Sequence, residues 1–405
     1  MKKLANRNIE LIALLGFLAA VGPLSIDTYL PSLPTISDTL GAATGAVQLS
    51  VSAFFFGLAC GQIFCGPLSD RFGRRPVIFI GFGIFVGASI ACALATHVTA
   101  LIIARAIQGL AASASPAAGR AVIRDVWSGN QAARAMSFVV MVMSVAPLIA
   151  PLMGGQLLTW FGWRSIFWML ALFGFASIVL VQLRLPETNG PERRSGVRLG
   201  AYFRAYGLIL SSTRACAYLV CGGLASSVMF AYITGISFVY IDLFGVQPKY
   251  FGFLFSINVI GLVLGNWFNS RFVLRHGYHR LLGGGLAVMA CGTLALLVSV
   301  LIADGGLIAI VATLFIAISP ISMVMANAMS GLLNLFPGNA GGASALFGVA
   351  QFGFGALAGV AVGALFTGTP VPMAGVMTFC AAGAVLAYGV LRSMHSPQAD
   401  LQMPD

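Results

Sequence analysis

Charge is what this chain has least of. Only 8% of its 405 residues are Asp, Glu, Lys or Arg, where soluble domains carry about 25%. With 59% hydrophobic residues, no soluble fold hides this much apolar surface, so the chain reads as an integral membrane protein. Lysine is confined to Lys2, Lys3 and Lys249. None of them follows glycine in a G-x-x-x-x-G-K-[ST] run, which excludes a phosphate-binding loop and an ATPase built on one. The four histidines, His97, His276, His279 and His395, fall at loops or in the tail, and no HExxH motif occurs. They read as solvated side chains. The seven cysteines are odd in number, lie mostly inside apolar runs and form no CxxC. They read as small buried hydrophobes, neither a disulfide framework nor a metal site. No cofactor is expected.

What charge there is has one sign, a formal +11. In a soluble protein that excess would point to nucleic acid. Here the arginines sit in short segments between apolar runs, so they read as topology signals facing anionic cytoplasmic-leaflet lipid, and no nucleic-acid partner is expected. The opening Lys2-Lys3 and the apolar run from Leu11 imitate a secretory signal. That run is too long for a signal core and passes through Asp27, so it reads as a retained first span.

Apolar runs of about 20 residues, enough to cross a bilayer, recur twelve times. They lie near 9–30, 46–67, 76–95, 100–120, 136–158, 165–183, 215–241, 251–271, 281–303, 307–330, 343–366 and 373–391. Longer connections are expected at Ser32–Gly45, at the basic stretch Arg120–Ala135, and at the central segment Arg184–Arg214. With the N-terminus inside, nineteen of the 22 basic residues fall on the cytoplasmic side, leaving Arg164 and Lys249 outside and Arg105 within a span. The expected topology therefore has both termini cytoplasmic. The fold expected is an all-α membrane protein of twelve transmembrane helices in two pseudo-symmetric six-helix bundles. The first bundle covers 1–190, a cytoplasmic linker 191–213, and the second bundle with a short tail 214–405. Within the linker, Arg198–Leu210 reads equally as an interfacial amphipathic helix or as disordered chain.

The first half carries a charged, Gly/Pro-punctuated turn, Gly66-Pro67-Leu68-Ser69-Asp70-Arg71-Phe72-Gly73-Arg74-Arg75-Pro76-Val77, between the second and third spans. A diverged copy lies 199 residues on, with Gly265 and Asn269 followed by Arg271, Arg275, Gly277 and Arg280. Paired halves of this kind are how parallel-repeat transporters are built. The acid is missing from the second copy, so the role of Asp70 is asymmetric. Arg120, Arg124, Asp125 and Arg134 adjoin this turn. They read either as an inner gate pairing with Asp70 and its arginines, or as plain positive-inside charge.

Three further features could carry chemistry. Asp27, in Ser25-Ile26-Asp27-Thr28-Tyr29-Leu30-Pro31, is expected near the outer end of the first span. A carboxylate there either faces an aqueous cavity or a partner, or marks the helix end. Arg105 is the one basic residue deep in an apolar run. It is expected at a depth similar to Asp27, with Gln108 on the same face three residues on. The alternatives are a polar cluster lining a cavity and a snorkelling anchor. In the fifth span, Pro147 and Pro151 precede Gly154 and Gly155. This is either a bent helix closely approached by a neighbour or a plain structural kink.

Together these features resemble the major facilitator superfamily over nearly the whole chain, the Gly66–Arg75 turn matching its loop between the second and third helices. Within it the chain is similar to the bicyclomycin/chloramphenicol-resistance (Bcr/CflA) group of drug–proton antiporters. The narrower likeness rests on Ile26-Asp27-Thr28-Tyr29-Leu30-Pro31-Ser32-Leu33-Pro34, Arg105-Ala106-Ile107-Gln108-Gly109, Ala146-Pro147-Leu148-Ile149-Ala150-Pro151-Leu152-Met153-Gly154-Gly155 and Gly162-Trp163-Arg164-Ser165-Ile166-Phe167. The resemblance implies an alternating-access exporter of the bacterial inner membrane, driven by protons and acting as a monomer on small drugs or metabolites. It makes Asp27 the protonatable, substrate-linked acid, with Arg105, Gln108 and Tyr29 around it. Gly66, Asp70, Arg71, Gly73, Arg74 and Arg124 would form the gating loop, and Pro147, Pro151, Gly154 and Gly155 the antiporter helix. In the outward-open state Asp70 is expected near the free N–H groups of Gly341, Gly342 and Ala343. Ala19 stands where some related exporters carry a second acid. Two rivals remain: an inward proton symporter for a sugar or metabolite, and a membrane sensor that transports nothing.

Overall fold

The structure, a computed structural model, describes residues 2–190, 192, 199–302 and 306–394. Arg193, Arg194, Arg198 and the tail from His395 lie outside the described residues. Among the described residues, twelve helices are long and apolar enough to cross a membrane. Spans 1 to 6 are Ile9–Leu40, Thr44–Phe72, Arg74–Ala93, Val98–Val126, Gly129–Phe161 and Arg164–Arg184. Spans 7 to 12 are Thr213–Leu243, Pro248–His276, Tyr278–Ile302, Leu307–Leu335, Pro337–Ala364 and Val371–Ser393. No strand occurs among the described residues. The chain is thus an all-helical membrane protein of twelve spans.

The helices overrun the apolar runs that announce them. The connection expected at Ser32–Gly45 is mostly the helical end of span 1, where Pro34 sits in the first turn of Leu33–Leu40 and Gly41, at φ 58°, stops it. The Arg120–Ala135 stretch is helical except around Trp127 and Ser128. The turn expected over Gly66–Val77 is also helix up to Phe72, and the break is Gly73, at φ 106°. Outside the hydrocarbon, water and headgroups satisfy a helix as well as a loop, so helices run on until a residue stops them. Spans 4 and 10 are each interrupted once, at Ser113 and around Ser319-Pro320, shortly before Pro116 and at Pro320 itself. Proline removes an N–H and frees the carbonyl four residues earlier, so these breaks are written into both halves.

Small residues let the spans touch backbone to backbone, as membrane helices require. Span 2 meets span 4 at Gly57 and Gly109. A Cβ on Gly57 would lie 2.1 Å from the Ala106 carbonyl oxygen, and one on Gly109 would lie 2.0 Å from that of Phe54. Between the halves, span 2 runs antiparallel to span 11, from Gly45 against Gly363 to Gln62 against Gly348. Span 5 meets span 8 near one end of the bundle, the end bearing Gly41, Gly162 and Gly245, hereafter the outer end. There a Cβ on Gly155 would lie 2.5 Å from the Pro248 carbonyl oxygen, and Ser256 Oγ donates to the Leu148 carbonyl at 3.4 Å. Towards the inner end, Met141 of span 5 and Leu264 of span 8 are half exposed. Spans 5 and 8 hold the halves together at the outer end, and spans 2 and 11 along most of their length.

The central segment contains a helix, Leu199–Leu210. Of the two readings open for it, the structure takes the helical one. Tyr206 and Ile209 are buried, and Phe203 and Leu208 are exposed.

The Gly57 contact yields a stability test. Gly57→Val forces a methyl-sized group into the backbone of span 4, and overpacking of this kind costs about 1–3 kcal/mol. The thermal midpoint of the purified protein in detergent is expected to fall. An unchanged midpoint would contradict the packing described.

Candidate functional site

Span 1 changes its winding immediately after Asp27. The Tyr29 N–H bonds to the Ile26 carbonyl at 3.2 Å, and Leu30–Ser32 forms a tight 3-10 turn. This shift leaves the Ser25 carbonyl free of its usual partner four residues on. Arg105 Nη1 takes it up at 3.1 Å. The same nitrogen donates to Gln108 Oε1 at 2.7 Å, Gln108 Nε2 donates to Ser89 Oγ at 2.8 Å, and Ser89 Oγ donates to the Phe85 carbonyl at 2.7 Å. Three spans are thereby tied to one freed carbonyl.

Arg105 is 0% exposed and has no carboxylate within ion-pair distance among the described residues. Its Nε and Nη2 have no hydrogen-bond partner among the described residues. Aromatic faces surround it instead: its guanidinium carbon lies 4.6 Å from the Tyr29 ring centroid, 4.3 Å from Phe54 and 6.0 Å from Phe167. Cation–π contacts are worth about 2 kcal/mol or more when desolvated. The Tyr29 hydroxyl reaches Ser50 Oγ at 2.7 Å, and Ser50 Oγ donates to the Val47 carbonyl. From the other side, Gly154 of span 5 lies on the turn, a Cβ there falling 2.0 Å from the Thr28 carbonyl oxygen. Arg105, Gln108, Tyr29 and Gly154 therefore belong to one assembly, which grips the irregular turn.

Asp27 is not paired with Arg105, and this corrects the expected arrangement. The two residues also lie further from their helix ends than expected: span 1 continues to Leu40, and Arg105 is seven residues into span 4, about 10 Å at 1.5 Å per residue. The reason for the separation is angular. Residues two apart on a helix point about 200° apart, so a span whose Ser25 carbonyl faces Arg105 sends the Asp27 side chain away from it. Asp27 is 4% exposed and makes no ion pair or side-chain hydrogen bond among the described residues. The turn Leu30–Ser32 that follows it packs on spans 7 and 8 of the other half, where Tyr232 of span 7 is buried. Tyr232 Oη accepts from Asn258 Nδ2 at 3.0 Å, and its ring stacks on Phe255 at 5.5 Å. Among the described residues, Tyr240 Oη, Asn258 Oδ1 and both amide atoms of Gln48 are buried without a hydrogen-bond partner. Sequence reasoning passed over Asn258 and Gln48. The available signal was an amide alone in an apolar run.

The inner-end residues form a second network. Arg74 holds three acceptors. Its Nη1 pairs with Asp70 Oδ1 and donates to Ser69 Oγ at 2.8 Å, and its Nε donates to Asp125 Oδ2 at 3.0 Å. Thr188 Oγ1 donates to the same Asp125 oxygen at 3.1 Å. Glu187 accepts the backbone N–H groups of Arg74 and Arg75 at 3.0 and 3.2 Å. It thus caps span 3, where an anion is worth about 0.3–1 kcal/mol. Asp70 Oδ2 accepts from the Tyr202 hydroxyl of the central helix. Arg71 instead lies over the Phe72 ring at 5.4 Å. Arg124, expected beside Asp70, reaches towards Gly341 at the start of span 11, its Nη1 being 3.8 Å from where a Cβ would stand. Its neighbour Asp125 is the residue that joins the network around Arg74. Gly66 lies within span 2, and Gly73 supplies the turn. Pro147 and Pro151 lie inside the uninterrupted helix of span 5, and Gly155 meets the other half at Pro248. Tyr202 and Glu187 were not among the sequence candidates.

The fork of Arg105 suggests a direct test. A lysine keeps the charge but presents a compact point instead of a planar fork, so it cannot hold the Ser25 carbonyl, Gln108 and three ring faces together. Arg105→Lys is expected to reduce transport about tenfold, the order of one lost hydrogen bond to a charged group, with normal membrane expression. Full activity of Arg105→Lys in reconstituted vesicles would show that charge alone matters.

The major facilitator superfamily profile matches residues 15–360. The chain is 36% identical over 385 residues to the uncharacterized MFS-type transporter YdgK of Bacillus subtilis, covering 95% of each. It is 33% identical to a bicyclomycin resistance protein homolog of Haemophilus influenzae, over 94% of this chain and 96% of that one. With multidrug resistance protein D of Escherichia coli it shares 30% identity over 66% of each. Among solved structures, the nucleoside transporter NupG superposes with a TM-score of 0.75 over 96% of this chain and all of that chain, at 15% identity. A D-xylose-proton symporter gives 0.70 over 95% and 96%, at 18%. Those two show the fold alone. Twelve spans, two bundles meeting along spans 2 and 11 and spans 5 and 8, and relatives named for drug resistance lead to one conclusion: the chain is a transporter of the major facilitator superfamily.

Proposed function

We propose that the protein is a proton-coupled exporter of small, mostly neutral drugs or metabolites in the bacterial inner membrane, working as a monomer with both termini cytoplasmic. The observation that carries this reading is Asp27. It lies far from either end of span 1, is buried with no ion-pair partner among the described residues, and directly precedes the turn that packs on the other half. An acid inside a span is costly and marks an ion or substrate path. The relatives named for bicyclomycin and multidrug resistance support export and substrate type.

In the proposed cycle, substrate from the cytoplasm meets deprotonated Asp27, and a proton from outside later displaces it. Both species need the same carboxylate, so each excludes the other and the two flows are opposed. Arg105 does not neutralise the acid. It fixes the Ser25 carbonyl and so the turn that packs on the second half. Gln108 orients Arg105 and Gly154 buttresses the turn. One acid corresponds to one proton per cycle, so export of a neutral substrate moves net charge and responds to membrane potential.

The test pairs cells with vesicles. In an exporter-deficient host, expression is expected to raise tolerance to members of a drug panel. Active compounds are then followed in proteoliposomes carrying a pH gradient. Asp27→Asn is expected to abolish gradient-driven export while substrate binding persists. Undiminished proton-driven export by that variant would remove Asp27 from the mechanism, inward accumulation would identify a symporter, and no flux at all would favour a sensor.

A further inference from the structure

The helix Leu199–Leu210 is seated on the inner end of the junction between the two halves, and its contacts are specific. Tyr202 donates its hydroxyl to Asp70 Oδ2. One turn on, Tyr206 Oη donates to the Ile63 carbonyl at 3.3 Å. That carbonyl is the one Pro67 leaves without its helical N–H, so Tyr206 satisfies a backbone group that span 2 cannot. On its other side the helix meets span 11: the Tyr206 ring and Ile209 lie 3.6 Å from where a Cβ on Gly342 would stand. Tyr202, Tyr206 and Ile209, spaced by four and three residues, present one face of the helix.

We infer that this linker helix is a strap that holds the outer-closed state, with Tyr202 as a positioning residue of the inner gate. Both carboxylate oxygens of Asp70 are taken, Oδ1 by Arg74 and Oδ2 by Tyr202. The backbone N–H groups opening span 11 lie beside Tyr206 and Ile209. For Asp70 to bond span 11 when the inner ends close, Tyr202 must let go and the strap must move off Gly342. Strap seated and Asp70 on span 11 are therefore alternatives, and the strap biases the equilibrium between the two states. Burial, and then the Asp70 carboxylate, push the Tyr202 phenol upward from its ordinary range. The hydroxyl is thus the donor of this pair. The inference rests on alternating access, not on the direction of transport or its proton coupling.

Hydrogen exchange on the full chain in lipid nanodiscs tests it without substrate or gradient. The diagnostic segments are 148–156 and 248–256, the contact of spans 5 and 8 at the far end of the molecule. Tyr202→Phe removes one hydroxyl and no packing volume. It is expected to speed exchange at that remote contact about tenfold, because a charge-assisted hydrogen bond is lost from one state only. Tyr206→Phe is expected to act in the same direction, and it carries the test should Tyr202→Phe not fold. Faster exchange confined to the linker helix and the inner ends of spans 2 and 11, with the outer contact unchanged in both variants, would overturn the inference and leave the helix as packing.

Discussion

A bilayer interior has no water to satisfy polar groups, so every carbonyl, amide or charge placed there must find its partner within the protein. The arrangement of this transporter follows from that constraint at one place above others. Span 1 tightens after Asp27, the Ser25 carbonyl comes free, and Arg105 is drawn to it. Once the guanidinium is fixed, its position calls for Gln108, Ser89 and the faces of Tyr29, Phe54 and Phe167. Asp27 is left on the opposite side of the helix, without a partner in its own half. The irregular turn and the buried cation together fix how span 1 packs on the other bundle, where the turn Leu30–Ser32 meets spans 7 and 8.

The same logic repeats at the inner end with different chemistry. Pro67 frees the Ile63 carbonyl, and a tyrosine of the linker helix takes it. Glu187 occupies the N–H groups that span 3 would otherwise leave bare. In the second half the corresponding place holds amides: Asn327 Nδ2 donates to Asn269 Oδ1 at 2.7 Å, and both residues are buried. A neutral amide pair can stay shut through a cycle. An aspartate shared between an arginine and a tyrosine can exchange partners. The loss of the acid from the second copy of the turn, visible in the sequence, therefore corresponds to a physical difference between the halves.

The sequence is most legible where a single physical requirement dominates. Twelve apolar runs long enough to cross a bilayer follow from transfer energetics alone. Helix ends are less legible: Leu33–Leu40 and residues 129–135 are helical although they read as connections, because headgroups and water do not penalise either state. The relation of Asp27 to Arg105 was out of reach, since it depends on which way span 1 is turned, and that is set by one hydrogen bond from Tyr29 to Ile26. Pro31 and the Ser25–Pro31 run hinted at irregular winding but not at its direction. Tyr202 lay in a stretch whose composition suited a loose linker equally well. Its role depends on a contact across 132 residues.

The central claim is that Asp27 carries the proton that substrate displaces. The most direct measurement is proton release from purified transporter in weakly buffered detergent, followed with a pH indicator as substrate is added. The account predicts that substrate releases about one proton per molecule from the native protein and none from Asp27→Asn, with both binding the ligand. Equal release from the two proteins would place the coupling proton elsewhere and contradict the account.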